Sequence, residues 1–153
     1  MTKLKTMDFE FSTIAEAGDV ANTICCSFKE PRKIYGACLE LLVNAVEHGN
    51  LGITFEEKAN LIFEGMWHDE IAYRQKLPEN IGKKVQVKLT NHEEYLTLKI
   101  KDDGKGFDPT PFLTLQPSRA EKPNDRGIYL AGLEFDKIEY IGCGNEVICY
   151  KIV

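Results

Sequence analysis

The stretch Glu40-Leu-Leu-Val-Asn44-Ala-Val-Glu47-His48-Gly49 lies inside a longer periodic pattern. Ile34, Ala37, Cys38, Leu41, Leu42, Ala45 and Val46 recur at three- and four-residue intervals, the mark of an amphipathic helix. Pro31 suits the first turn of that helix and Gly49 its C-terminal end. Glu40 and Asn44 are four apart, so they share a face one turn from each other. Their apolar neighbours bring that face to a core boundary, where a carboxylate and an amide need partners. Backbone and water at a helix–sheet edge would serve, and so would a ligand.

Working outward, Met7–Ser12 alternates as a short strand, and Ala15–Phe28 carries apolar groups at helical spacing with Ser12 or Thr13 as its N-cap. After Gly49, Thr54–Gln75 reads as one helix. Thr54 and Glu57 form a capping-box pair there, and Leu61, Ile62, Trp67, Ile71 and Ala72 form an apolar stripe. Val85–Leu89 and Tyr95–Ile100 alternate strictly around Asn91–Glu93, which predicts a β-hairpin. A Gly-, Pro- and charge-rich segment, Asp102–Arg126, is too long for a plain connection and reads as a lid or binding loop. A helix over Gly127–Glu134 follows, then strands at Lys137–Ile141 and Glu146–Val153 around the turn Gly142–Asn145. Helices and strands mix without strict β-α-β alternation. The expected class is therefore α+β, a two-layer α/β sandwich whose sheet is mixed but mostly antiparallel, with helices on one face.

The length of 153 residues fits one domain. Hydrophobic content of 43% and charged content of 28% belong to a globular chain. A formal charge of −5 excludes a broad basic surface for nucleic acid or anionic membrane. No apolar run approaches a membrane span and no secretory leader is visible, so the expectation is a cytoplasmic protein. The five cysteines lack a C-x-x-C pair and read as buried, reduced thiols, not zinc ligands.

Two further clusters carry chemistry. In Asp102-Asp-Gly104-Lys-Gly106-Phe107, an Asp at a strand end followed by two glycines lets backbone approach a flat ligand, and the carboxylate can accept from an amino group; a plain turn has the same residues. In Asn124-Asp125-Arg126-Gly127-Ile128, a glycine at a helix start exposes N–H groups toward an anion, and Arg126 adds a cation; an ordinary capped helix start also fits. The P-loop, dinucleotide, H-E-x-x-H, calcium-loop and hydrolase-elbow patterns are absent.

Taken in order, E-x-x-x-N-x-x-x-H-G on a helix, D-x-G-x-G-F at a strand end, a long loop and R-G-[IL] opening a helix resemble the GHKL superfamily. This superfamily includes gyrase, histidine kinase and mismatch-repair ATPases, and the likeness extends to the closing F-D-x-I-E-Y and G-N-E-V strands. Within it, the chain looks most like the anti-sigma-factor serine/threonine protein kinases. That resemblance implies the Bergerat ATP-binding fold, with ATP and Mg²⁺ as ligands. It implies that Glu40 is the general base, that Asn44 holds Mg²⁺, and that His48 belongs to the nucleotide site. Asp102 would bind adenine, Gly104 and Gly106 would line the base pocket, and Arg126 and Gly127 would lie near the phosphates. Residues 1–153 would form one histidine kinase-like ATPase domain, with a helical insert at about 52–84 and an ATP lid at about 108–126.

The implied partners are an anti-anti-sigma-like regulatory protein, a sigma factor or both, with a homodimer as a further option and neither nucleic acid nor membrane. The alternative is a nucleotide-gated, non-catalytic binding module, or the ATPase domain of a larger regulator. Two departures stand out: Asp125 where the family commonly has Gly, which would repel the γ-phosphate, and the long insert itself. A complete histidine kinase would need a phosphoacceptor outside the ATP domain, and the histidines are His48, His68 and His92.

Overall fold

The computed structural model describes residues 5–106 and 127–153. Its sheet has the order β1-β2-β3-β5-β4, formed by β1 (Lys5–Phe11), β2 (Val85–Asn91), β3 (Tyr95–Asp102), β4 (Lys137–Ile141) and β5 (Glu146–Ile152). Every pairing in it is antiparallel, so the sheet is more uniform than the mixed one expected. The alternation in β2 and β3 explains the layering. Val85, Val87, Leu89, Leu96, Leu98 and Ile100 are buried on one face, while Gln86, Lys88, Lys99 and Lys101 face outward. A sheet apolar on one side needs one covering layer.

That layer is α1 (Ile14–Cys25), α2 (Pro31–Asn44) and α5 (Gly127–Glu134), with α2 packed between the other two. Thr13 caps α1 in a full capping box: its Oγ1 accepts from Glu16 N at 3.2 Å, and Thr13 N donates to Glu16 Oε1 at 3.1 Å. Pro31 opens α2, as its fixed φ and missing donor suggest. The buried face of α2 is Ile34, Ala37, Cys38, Leu41 and Leu42. Instead of capping at Gly49, the helix widens into a π-helical turn over Ala45–Asn50.

The segment 52–84 departs from its expected form. It holds two helices, α3 (Phe55–Glu64) and α4 (Trp67–Gln75), broken at Gly65, whose φ of 71° stops an ordinary helix. The break resets the helical phase, so the expected stripe does not form. Ile71 is buried, Leu61 and Trp67 are half-buried, and Ile62 and Ala72 are exposed. Thr54 accepts from Glu57 N at 3.0 Å, but the Glu57 carboxylate turns to Arg74 and leaves the capping box half made.

The cysteines also divide. Cys25, Cys38 and Cys149 are buried thiols, burial pushing Cys38 up to about 12, whereas Cys26 and Cys143 are exposed. Among the described residues no helix is long and apolar enough to cross a membrane.

Candidate functional site

The site is assembled where the end of α2 meets the end of β3. Glu40 is exposed on α2, one turn before Asn44. Its Oε2 lies 2.2 Å from the point where a Cβ on Gly127 would stand, so the first turn of α5 closes directly against that carboxylate. Glu40 and Gly127 are thus brought together. One turn on, Asn44 presents a side-chain amide whose nitrogen is buried with no hydrogen-bond partner among the described residues.

The π turn aims the next residues. His48 has a side chain only 5% exposed, with its Nδ1 against the Ile53 carbonyl and its ring stacked on Phe55. A carbonyl only accepts, so Nδ1 is the donor and Nε2 keeps a bare lone pair, which finds no hydrogen-bond donor among the described residues. Burial lowers the imidazole to about 4, which keeps it neutral at pH 7. Glu47, beside it, is fully buried and ion-paired to Lys58 at 2.7 Å; burial nonetheless raises its carboxyl above the ordinary range.

Asp102 ends β3, and its register with Val85 places it at the sheet's rim. It is 8% exposed, and burial pushes it up to about 6 against the opposing hydrogen bond from Gly104 N at 2.8 Å. A Cβ on Gly104 would stand 2.1 Å from the Gly49 carbonyl oxygen, so the loop after β3 and the π turn touch backbone to backbone. Gly106 sits with a positive φ against the Cys143 carbonyl. Asn145 clamps Asp102 from the last turn: its carbonyl accepts from Asp102 N at 2.9 Å, and its Nδ2 donates to Asp102 O at 3.2 Å.

One pocket results, lined by Asn44, His48, Gly49, Phe55, Asp102 and Asn145 among others. Three of the sequence candidates, Asn44, His48 and Asp102, share it. Gly104 and Gly106 are in the loop that leaves Asp102, and the Glu40–Gly127 contact lies one helical turn from Asn44. Arg126, Asp125 and the lid at 108–126 lie outside the described residues.

Sequence reasoning missed Phe55, Glu47, Asn50 and Asn145. Asn50 is buried and accepts from Asp103 N at 2.7 Å, which fastens the π turn to the β3 loop. The one signal for Glu47 was a charge directly after the apolar Ala45 and Val46. Nothing local marked the others, because their roles depend on the π turn and on the turn that joins β4 to β5.

The order of these parts is that of a known domain: the family model described as the histidine kinase-like ATPase domain matches residues 12–151. The chain belongs to this family. No curated protein matches the sequence. Membership in the histidine kinase-like ATPases implies ATP binding, and the pocket suits such a ligand. It offers a buried carboxylate acceptor at the rim of the sheet, close backbone approach at Gly104, and polar atoms on Asn44 and His48 that have no hydrogen-bond partner among the described residues. The donor set also suits Mg²⁺. No three His, Cys, Asp or Glu side chains converge among the described residues. A cation here would therefore rest on Asn44 and take its remaining oxygens from phosphate and water, as Mg²⁺ commonly does.

Proposed function

We propose that this histidine kinase-like ATPase is an anti-sigma-factor-type protein serine/threonine kinase. It would act in the cytoplasm of a bacterium on a small regulatory antagonist protein, with ATP and Mg²⁺. The observation that supports it most is the Glu40 carboxylate, exposed to solvent yet packed against the first residue of α5 and one turn from Asn44. A general base must reach both an incoming hydroxyl and the phosphate end of the nucleotide. Glu40 alone among the candidate carboxylates has that placement, since Glu47 and Asp102 are buried.

In this reading Asp102 accepts from the adenine amino group, and Gly104 lets the base lie flat against backbone. Mg²⁺ at Asn44 would supply charge neutralisation across the phosphates. Glu40 takes the serine hydroxyl proton as that oxygen attacks the γ-phosphorus and ADP leaves. Such transfer depends on positioning and charge more than on covalent help. Glu40→Gln should abolish phosphate transfer to the partner while ATP still binds; equal transfer by the variant would remove the kinase reading.

A second reading is a nucleotide-gated binding module that sequesters a sigma factor. The insert favours it: Ile62, Met66 and Tyr73 are exposed and Phe63 is 92% exposed, which phosphoryl transfer does not require. In that case labelled ATP would pass no phosphate to any co-encoded regulator.

A further inference from the structure

The segment after the π turn does more than lead back to the sheet. Leu51 and Ile53 donate their N–H groups to the Val46 and Glu47 carbonyls at 2.9 Å, folding the chain against the turn. His48 donates to the Ile53 carbonyl, and Phe55 stacks on the imidazole with centroids 3.8 Å and planes 15° apart. The two rings therefore stand as one unit in the pocket wall.

One turn further along α3, Lys58 Nζ meets the buried Glu47 carboxylate at 2.7 Å. The other oxygen, Glu47 Oε1, and Trp67 Nε1 are both buried with no hydrogen-bond partner among the described residues. Lys58 Nζ also lies 5.7 Å from the centre of the Trp67 ring. Behind these, Arg74 joins Leu51 O at 3.1 Å, Glu57 at 2.6 Å and Glu70 at 2.8 Å. His48 is thus linked through the Phe55 stack to α3, the helix that also carries Lys58.

We infer that α3 and α4 are a working part of the nucleotide site. Phe55 is the positioning residue that sets the His48 ring, and the Glu47–Lys58–Trp67 clamp links the pocket wall to the insert. This deepens the ATP-binding reading and rests on it. The insert then reports whether the pocket is filled.

Trp67 is the chain's one tryptophan, so its emission reads the clamp directly. The experiment titrates the full chain with ATP and Mg²⁺, following heat by calorimetry and Trp67 emission in parallel. The variants are Phe55→Leu, which keeps apolar bulk without the ring, and Phe55→Tyr, which keeps the ring.

The expected result is a saturable emission change in the wild type with the same midpoint as the heat. Phe55→Leu should bind ATP about tenfold more weakly, the worth of a good ring stack. Its melting temperature without nucleotide should stay close to the wild type's, and Phe55→Tyr should restore affinity. Heat without any emission change, or wild-type affinity in Phe55→Leu, overturns the inference and leaves ATP binding standing. No heat in the wild type overturns the ATP reading, and the inference with it.

Discussion

α2 and the α3–α4 insert are both amphipathic by sequence, yet they are held by different forces. α2 buries five residues against the sheet, Leu42 and Cys38 completely. α3 buries none, and α4 buries Ile71 alone. Polar contacts join the insert to its neighbours through Lys58–Glu47, Arg74 on the Leu51 carbonyl at 3.1 Å and Lys83 on the Asn50 carbonyl at 3.2 Å, while Arg74 also ties α4 to α3 through Glu57. Burial of apolar area is non-directional and strong, so it secures the scaffold. Paired charges and hydrogen bonds are directional and weaker, so they fix a register that a ligand can disturb.

The largest blow to that contrast should come from the core. Leu42→Ala opens a cavity in a close-packed layer and should cost about 2–5 kcal/mol in urea unfolding. A loss no greater than that of a surface change would mean α2 is not the anchor.

Lys58→Met comes next, at about 3 kcal/mol, because it leaves the Glu47 charge buried and alone. Adding Glu47→Gln should return much of that loss, since the unpaired charge is then gone. A double variant as unstable as the sum of its singles would show that the pair is not coupled.

The pH response tests the rim of the pocket. Asp102 is raised from 3.8 to about 6, so the native state holds its proton longer than the unfolded chain. Its contribution to stability therefore falls as pH rises from about 4 to 6. His48, lowered from 6.5 to about 4, acts in the opposite sense and adds stability as pH rises through that window. Asp102→Asn removes only the first of these. The variant should gain on the wild type by on the order of 1 kcal/mol per pH unit between pH 4 and 6, and hold a constant difference above it. Unfolding midpoints at several pH values read this directly; a difference flat across the whole range would refute the assignment.

The smallest effect belongs to the insert's outer face. Phe63→Ser should change stability by less than about 0.5 kcal/mol, because that ring is already in water. A large destabilisation would show that the insert packs by burial after all.

The residues explain why some of this was legible in the sequence. Two-residue alternation in Val85–Leu89 and Tyr95–Ile100 leaves only one face to bury, so the hairpin and the one-sided layering follow. Glu40, Asn44 and the Asp102–Gly106 run were visible because they depart from local patterns. The π turn was not, since a single widened turn leaves the apolar spacing before it intact. Gly65 was read through as part of a helix, because one glycine costs a helix only about 1 kcal/mol and does not by itself forbid it. Phe55 and Asn145 could not be placed, as each acquires its role from residues that the fold, not the chain, puts beside it.

The sheet order carries one more consequence. β5 follows β4 in the chain, yet it lies between β3 and β4, and the turn before it supplies Asn145 to the Asp102 backbone. Synthesis runs from the N-terminus, so a nascent chain that has already exposed Glu40, Asn44 and Asp102 still lacks one wall of its pocket. The pocket wall that Asn145 forms is therefore closed only after Glu40, Asn44 and Asp102 have all been made.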